Sequence, residues 1–322
     1  MGYRIGSFNC LSFGMGATKS PEILAQIIQD EKFDIVALQE IKGQGTLQNR
    51  ILSQLPSNWT GIADDGYVND YAFIWNKYRV QLSQYESNGM IRSHKPHIYK
   101  QYRIDRSRNQ TDLIREPYYA RFVPVGGGTP FIEIRILNCH IRYSKGSQNS
   151  SSDEQSLGAI AMRKNEFDVL STTLYPKVAN KRYGNNRPSY TILLGDYNLN
   201  MKDSEASSPY LFDSIEIQDE TIVKMQNGII RETYNTKHKE DPMHIITMQN
   251  DLTTLRNPND DVKPHGFANN YDHFTYDKKR FSNLKVRCDS IDAVEKYCNG
   301  DFEKYRKEVS DHIPISIEID FR

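Results

Sequence analysis

The chain has 322 residues, with 41 Lys and Arg residues against 41 Asp and Glu residues, so its formal net charge is zero. A neutral chain has no overall field that attracts or repels nucleic acid, and any electrostatic attraction has to be local. Hydrophobic residues make up 38% of the sequence, which is enough for a substantial core. The length alone fits either one large domain or two small ones.

Neither a signal peptide nor a membrane span is expected from the sequence. The first residues contain no basic segment followed by a long apolar stretch, and no run of about 18 apolar residues occurs along the chain. The four cysteines, at positions 10, 139, 288 and 298, lack the paired spacing of a zinc site. We therefore expect a reduced, cytoplasmic protein that does not bind membranes.

Strands and helices intermix along the sequence. The first segment, "YRIGSFNCLSF", predicts a strand, and "SPEILAQIIQDEKF" predicts a helix that Ser20 caps and Pro21 begins. Further strands are predicted in "DIVALQE", "YAFIWN", "FIEIRILNCHIRY", "YTILLGDYN", "YDHFTYD", "LKVRCDSIDAV" and "HIPISIEIDF", and further helices in "SLGAIAMRKNEFDVLSTTL" and near residues 301–309. This pattern favours one layered α/β domain over residues 1–322.

Two segments differ from this pattern. Residues 144–156, "SKGSQNSSSDEQS", are of low complexity and predict a mobile loop. Residues 92–121 hold eight Lys and Arg against three acidic residues, a net charge of +5, with four interleaved tyrosines: Tyr99, Tyr102, Tyr118 and Tyr119. Basic groups suit phosphates and aromatic rings suit bases, so we expect a basic insertion that binds substrate, with a solvated face as the alternative.

Polar residues end the predicted strands one after another. A single such residue is most often a cap or a turn residue. Here eight of them follow six separate strands: Asn9, Glu40, His140, Asp196, Asn198, Asp272, Asp311 and His312. Carboxylate and Asn oxygens are ligands for hard cations such as Mg²⁺, and histidines can transfer protons near neutral pH. The set indicates a metal-dependent catalytic site, with a turn residue at position 9 and a core histidine at position 140 as alternatives.

The strand-end motifs resemble those of a known superfamily. "SFNCLSF", "IVALQE", "LLGDYN", "YDHF" and "SDHIPI" occur in this order over nearly the whole chain. They are similar to motifs of the endonuclease/exonuclease/phosphatase superfamily, whose type member is deoxyribonuclease I. The resemblance implies a four-layer α/β/β/α sandwich with two packed mixed, mostly antiparallel sheets, and a strand-end site at one rim.

The resemblance also implies metal-assisted attack of water on a phosphodiester. Glu40 would be the main ligand of Mg²⁺, supported by Asp311 and Asn9. Mn²⁺ is the alternative metal. The metal would neutralise charge on the phosphate and on the leaving oxygen.

The same resemblance assigns the catalytic residues. His312 would contact the phosphate and activate water, while Asp272 would fix its tautomer and raise its basicity. Asp196 would be a base or a ligand of a second metal, and Asn198 would hold the phosphate or that metal. His140 would donate to the leaving side or to a phosphate oxygen.

Local detail is most similar to the deoxyribonuclease I-like branch. "IREPYYARF" matches an Arg-Glu-Pro segment of that branch and implies that Arg115 contacts a phosphate. "GYVNDYAFIWN" implies that Tyr67 lies in the substrate groove, and Lys42 corresponds to a basic groove residue. The branch also has a glutamate that supports the first catalytic histidine. Asn69 occupies that position, so either the adjacent Asp70 takes this role or the histidine is less basic here.

These features predict a divalent-metal-dependent phosphodiesterase, specifically a DNA endonuclease with weak sequence preference. One alternative is a phosphatase or phosphodiesterase of the same superfamily that acts on RNA or on lipid or inositol headgroups. Another is a catalytically inactive binding module. The expected partner is nucleic acid, with DNA favoured. A second expected partner is a regulatory protein that restrains a cytoplasmic nuclease, or an activator on which its activity depends.

Overall fold

The structure, a computed structural model, describes most of the chain. It covers residues 2–15, 18–64, 70–99, 115–126, 131–143, 163, 166–167, 169–183, 187–200, 251–259 and 265–321, with short backbone stretches between 221 and 247. The predicted mobile loop at 144–156, Tyr67, Asn69 and Tyr102 lie outside the described residues.

Eighteen strands are present in the described part of the chain. The first nine are β1 (Gly2–Phe13), β2 (Ile35–Ile41), β3 (Trp59–Ala63), β4 (Ala72–Asn76), β5 (Val80–Leu82), β6 (Gln84–Ser87), β7 (Met90–Ser93), β8 (His97–Ile98) and β9 (Tyr118–Pro124). The others are β10 (Glu133–His140), β11 (Ser189–Asp196), β12 (Thr221–Ile222), β13 (Met225–Gln226), β14 (Ile229–Ile230), β15 (Ile245–Thr247), β16 (Asp272–Asp277), β17 (Lys285–Ser290) and β18 (Ile315–Asp320).

The helices in the described part of the chain are short. They are Pro21–Asp30, Gly43–Thr46, Tyr175–Asn180, Ala293–Cys298 and Phe302–Glu308, with π-helical turns at Leu47–Ile51 and Val169–Leu174 and a 3₁₀ turn at Leu52–Gln54. As the sequence predicts, Ser20 caps the first helix by accepting a hydrogen bond from the backbone N–H of Ile23 at 3.3 Å. Among the described helices, none is long and apolar enough to cross a membrane.

Two large mixed sheets form the centre of the fold. The first has the strand order β17-β18-β1-β2-β4-β3, and the second has the order β12-β15-β16-β11-β10-β9-β5, with β8 also paired to β9. Each sheet contains one parallel pair, β1 with β2 and β10 with β11, and the other described pairs are antiparallel. The predicted mixed, mostly antiparallel sheets are therefore confirmed.

Alternating side chains fill three separate cores. Ile35 and Ala37 of β2 face the other sheet, whereas Val36 and Leu38 of the same strand face the helical layer. The second sheet follows the same rule, with residue 192 between the sheets and residue 193 against the outer helical layer. Helices, sheet, sheet and helices thus form the four layers that the sequence motifs imply.

Three tyrosines of the basic segment at 92–121 lie in the cores and not at its surface. Tyr99, Tyr118 and Tyr119 are each no more than 2% exposed and pack in the cores, so their predicted role in stacking on bases is wrong. Arg121 is also buried, on β9. Composition misleads here because β9 is a central strand whose tyrosines contribute to the cores. That residues 92–121 form an insertion in a single domain stays a prediction.

A buried ion cluster joins β9 and β10. Arg121 donates to Glu133 Oε2 at 2.6 Å and Arg135 donates to Glu133 Oε1 at 2.6 Å, while Ser83 donates to Oε2 at 3.1 Å. Burial opposes the charge on Glu133, but the two guanidinium groups outweigh burial and lower the pKa of this carboxyl. The cluster therefore depends on the ionised form of Glu133.

The first prediction concerns this cluster. Glu133→Gln leaves two buried guanidinium groups without a counter-charge, so we expect the free energy of unfolding to fall by about 3 kcal/mol at neutral pH. Because the pKa of Glu133 is lowered in the folded state, this stabilisation is present above the unfolded pKa of about 4.3 and is lost as the pH falls through the folded pKa. Urea denaturation at several pH values measures it.

Glu318→Gln is the matched control. Glu318 pairs with Arg4 at 3.3 Å but is 44% exposed, so we expect a loss of less than about 1 kcal/mol. Equal losses for the two variants would contradict the importance of the buried cluster.

Candidate active site

The two parallel strand pairs end at one rim of the sandwich. Asn9 lies opposite Gln39 in the pairing of β1 with β2, and Glu40 follows directly. His140 lies opposite Asp196 in the pairing of β10 with β11. Asn9 Nδ2 donates to Asp196 Oδ2 at 3.0 Å, so a hydrogen bond joins the first sheet to the second sheet at the rim. Parallel pairing brings the carboxyl ends of neighbouring strands together, which explains this convergence.

A bulge at the end of β1 holds Glu40. The pairing of β1 with β2 shifts between Asn9 and Phe13, and Ser12 there donates to Glu40 Oε2 from its backbone N–H at 2.7 Å and from its hydroxyl at 2.9 Å. Glu40 and Ser12 both have positive φ angles, 61° and 53°. Strained backbone of this kind persists where surrounding structure enforces it, and it concentrates at functional sites. Ser12 has no signal in the sequence, because a bulge does not show in the alternation of apolar residues.

Asp196 is the most connected carboxylate of the rim. Its Oδ1 accepts from the backbone N–H of Asn198 at 2.8 Å, and its Oδ2 accepts from Asn198 Nδ2 at 3.1 Å as well as from Asn9. Burial raises the pKa of Asp196 above its ordinary value, although the neighbouring histidines oppose this. Gly195 has a φ of 136°, and a Cβ there would lie 1.9 Å from the Cys139 carbonyl oxygen, so the strand end requires glycine.

His312 and Asp272 form a buried pair. His312 Nδ1 lies 2.8 Å from Asp272 Oδ2, and Nε2 on the other side of the ring lies 3.7 Å from Asp196 Oδ2. Burial opposes charge on the imidazole, but the carboxylates of Asp272 and Asp196 outweigh it and raise the pKa of His312 well above its ordinary value. Ser310 orients the segment by donating from its hydroxyl to the carbonyl oxygen of Asn9 at 2.6 Å.

His140 has the opposite electrostatic character. Burial lowers the pKa of His140 to about 3, Asp196 opposes this effect, and Arg115 adds to it. Arg115 Nη1 donates to His140 Nδ1, which leaves the proton of the neutral ring on Nε2, 3.5 Å from Asp196 Oδ2. Asp70 does not take the place of the supporting glutamate, because its carboxylate pairs with Lys42.

Asp311 and Lys42 lie in more open surroundings. The side chain of Asp311 is 31% exposed, with Oδ2 3.6 Å from Arg306 Nη1 and Oδ1 4.0 Å from His312 Nε2. Lys42 is 30% exposed and bonds Asp70 rather than a residue of the rim. The place of Tyr67 in the substrate groove stays a prediction, because that residue is outside the described part of the chain.

A buried amide pair supports the rim from below. Gln39 Nε2 donates to Asn138 Oδ1 at 2.7 Å, and Asn138 Nδ2 donates to the Leu38 carbonyl oxygen at 3.0 Å. Both side chains are fully buried and belong to different sheets. They precede Glu40 and His140 by one and two residues, so they help to fix the position of one sheet end against the other. The sequence reasoning did not single them out.

The chemistry of the donors fits a hard divalent cation near Glu40. The side chains of Glu40 and Asp311 are 21% and 31% exposed, so each carboxylate is open to a hydrated cation. Asn9 presents Nδ2 to Glu40 Oε1 at 3.4 Å, while its Oδ1 accepts from the backbone N–H of Leu11 at 3.0 Å. Asn9 would have to turn its amide to act as a ligand.

A second group of ligand atoms lies deeper. Atoms of Asp196, Asp272 and His312 all lie within 4.8 Å of one another, and all three residues are buried. The 2.8 Å contact already joins two of these three residues, which favours a histidine–carboxylate pair over a metal site there.

Comparison with protein families decides the assignment. The sequence profile described as "Endonuclease/Exonuclease/phosphatase family" matches residues 6–312. The chain belongs to the endonuclease/exonuclease/phosphatase family. The enzymes that give this family its name hydrolyse phosphodiester or phosphate ester bonds. A comparison with curated protein sequences finds no match.

Solved structures with the same fold include TDP2 and a bacterial endonuclease/exonuclease/phosphatase family protein. Humanized D. rerio TDP2 with 14 mutations is 16% identical, with a TM-score of 0.52 and 99% of each chain covered. A family protein from Bacteroides thetaiotaomicron is 14% identical, with a TM-score of 0.51 and 100% of this chain and 96% of that chain covered. D. rerio TDP2 complexed with single strand DNA product is 14% identical, with a TM-score of 0.50 and 99% of each chain covered. At these identities the likeness shows the fold alone.

The second prediction concerns the histidine pair of this endonuclease/exonuclease/phosphatase family member. Asp272→Asn removes the charge that raises the pKa of His312, so the pKa should fall towards the ordinary value of about 6.5. Because the folded pKa is raised, the stabilisation by this pair is present below about pH 6.5 and is lost as the pH rises through the folded pKa. NMR titration of the imidazole carbons in EDTA measures the change.

Asp301→Asn provides the control for this titration. Asp301 is an exposed helix cap whose side chain accepts from the backbone N–H of Lys304 at 2.8 Å. Its substitution should leave the pKa of His312 unchanged. An unchanged pKa in Asp272→Asn would contradict the electrostatic role of that carboxylate.

Proposed function

We propose that the protein is a divalent-metal-dependent phosphodiesterase that cuts DNA with weak sequence preference. The imidazole of His312, held by Asp272, carries this proposal, because its Nε2 lies 3.7 Å from Asp196 Oδ2 of the second sheet and Asn9 donates to both Asp196 and Glu40. Family membership supports hydrolysis of a phosphate ester. The rim combines hard oxygen donors, a cationic group and a buried base, which are the parts that such a reaction requires.

Glu40, Asp311 and Asn9 would hold the metal, Mg²⁺ or Mn²⁺. The two acids are partly open to solvent, and Ser12 fixes the orientation of the Glu40 carboxylate through two hydrogen bonds. A divalent cation held there would neutralise charge on the phosphate and on the leaving oxygen.

His312 and Asp196 would act on the phosphate and on the attacking water. The raised pKa of His312 keeps it protonated at neutral pH, so Nε2 can donate to a phosphate oxygen while Nδ1 donates to Asp272. Burial makes Asp196 more basic than an exposed carboxylate, which suits it to accept a proton from the attacking water. Asn198 and Asn9 hold this carboxylate in place by donating to it.

His140 would stabilise negative charge that develops on oxygen. The lowered pKa of His140 keeps its ring neutral. Its Nε2–H can then donate a hydrogen bond to the leaving oxygen or to a phosphate oxygen as an uncharged donor. Arg115 fixes this tautomer by donating to Nδ1 and brings a guanidinium group next to the ring, where it would contact a phosphate. Lys42 and Tyr67 are proposed to line the approach of the substrate.

DNA is the favoured substrate for two reasons. Residues 92–121 carry a net charge of +5, and the family member D. rerio TDP2 is known in complex with a single-stranded DNA product. RNA, lipid headgroups and inositol phosphates are the alternatives on the same scaffold, since a fold does not determine a substrate. An inactive binding module is a further alternative, although every ionisable residue of the strand-end set is present.

The third prediction tests the activity with supercoiled plasmid. With Mg²⁺ or Mn²⁺ the plasmid should be nicked, whereas EDTA, Glu40→Gln or His312→Ala should lower the rate by at least about 100-fold, as expected when a metal ligand or a proton-transfer group is lost. Glu318→Gln, which changes a glutamate of β18 whose side chain is 44% exposed, is the matched control for Glu40→Gln and should retain activity.

Single-stranded DNA, RNA and an inositol phosphate are assayed beside the plasmid. An intact plasmid together with hydrolysis of the inositol phosphate would contradict DNA as the substrate while leaving the metal-dependent site intact. No hydrolysis of any substrate would favour the binding module or the predicted need for a protein activator.

A further inference from the structure

A second cationic surface lies at the opposite end of the second sheet. A cavity of about 630 Å³ opens where β10 and β11 begin. None of its described lining residues is acidic, and five are cationic: Arg135, Lys181, Arg182, Arg187 and Arg280. We call these five residues the basic groove. Ser189 borders it and Asp196 ends the same strand, so at about 3.3 Å per residue the groove lies about 23 Å from the rim.

Two of the five cations have a structural role. Arg135 and Arg280 both donate to carbonyl oxygens at the end of the helix Tyr175–Asn180, where cations offset the helix dipole. Arg135 also bonds Glu133 at 2.6 Å, and Arg280 lies 3.4 Å from Asp277. The helix end and these acids explain why the two arginines are present.

The other three cations lack such an explanation. In the part of the chain that the structure describes, Lys181, Arg182 and Arg187 form no ion pair with an acidic residue. Lys181 Nζ lies 5.0 Å from the ring centroid of Tyr183, and this uncharged ring supplies no counter-charge. The whole chain is neutral, so this concentration of cations is a local excess that an anion would balance.

An adjoining cavity extends the same positive charge. It has a volume of about 180 Å³, shares Lys181 with the basic groove, and is also lined by Lys95 and Arg121. Arg121 is 3% exposed, and its Nε and Nη1 have no hydrogen-bond partner among the described residues. Unsatisfied buried donors of this kind are costly, and Glu133 is the one carboxylate bonded to Arg121 among the described residues. Two neighbouring cavities therefore present cations without exposed counter-charges.

We propose that the basic groove binds phosphate groups of a nucleic-acid strand outside the catalytic rim. Four of its five cations are arginines, whose planar donors match phosphate oxygens better than a lysine ammonium does. A strand seated there would anchor the substrate about 23 Å from the hydrolysed bond, measured along β11. The phosphate chemistry rests on the groove itself, and the choice of nucleic acid rests on the proposed function.

The test uses charge reversal in the full-length protein. Arg182→Glu with Arg187→Glu removes two groove cations that have no structural partner in the described chain. The control pair is Lys77→Glu with Lys285→Glu, which makes the same change in net charge at two exposed positions, one in the turn after β4 and one on β17. The probe is a fluorescent single-stranded DNA of about 20 nucleotides, long enough for several phosphate contacts. Binding is followed by fluorescence anisotropy in EDTA, so that no turnover is required.

The groove variant should bind roughly tenfold more weakly at low salt, and its plot of log affinity against log salt should be less steep by about 1.4 for two lost phosphate contacts. The control variant should bind like the wild type. Equal weakening of both variants, or no weakening of the groove variant, would overturn the proposal. Displacement of the DNA by polyglutamate at equal charge concentration would overturn the assignment to phosphate. Matching thermal melting curves exclude loss of folding as the cause.

Cleavage is measured separately on the wild type with Mg²⁺. Groove-dependent binding without any cleavage would contradict the proposed phosphodiesterase and leave the basic groove supported. Cleavage by the wild type, together with DNA binding that the groove substitutions do not weaken, would support the proposed phosphodiesterase and contradict the basic groove.

Discussion

The hydrogen bond from Asn9 to Asp196 is the contact on which the proposed site depends. It joins the ends of the two sheets, and it lies between Glu40 of the first sheet and His140 of the second sheet. The buried pair Gln39–Asn138 repeats this connection below the rim. Because such buried polar contacts are costly unless satisfied, they fix the alignment of the two sheets more specifically than apolar packing can.

The two histidines of the rim have different chemical roles because their surroundings shift their pKa values in opposite directions. Both side chains are buried, and burial lowers the pKa of an imidazole. For His312 the flanking carboxylates outweigh burial and raise its pKa, whereas for His140 burial and the neighbouring Arg115 lower its pKa. A cationic donor and a neutral donor thus lie 3.7 Å and 3.5 Å from Asp196 Oδ2. This pairing of unlike groups is typical of sites that transfer protons.

Much of this arrangement could be predicted from the sequence, because apolar alternation marks where a strand ends. Asp196 and His140 were found in this way, and their motifs implied the family. Ser12 could not be found, because the bulge that turns it towards Glu40 depends on the pairing of β1 with β2. The prediction that the tyrosines of β9 stack on bases is wrong for a related reason. Composition shows that these side chains carry polar hydroxyl groups, but only the packing shows that Tyr118 lies between the sheets.

The account treats residues of both sheets as one catalytic unit, and a double-mutant cycle tests this most directly. The value of kcat/KM for DNA hydrolysis is measured for Glu40→Gln on the first sheet, for His140→Ala on the second sheet and for the double variant. Residues that act as a unit lose activity non-additively, so the double variant should be less than about tenfold slower than the slower single variant. Losses that multiply, or an active Glu40→Gln variant, would contradict a single site that spans the two sheets.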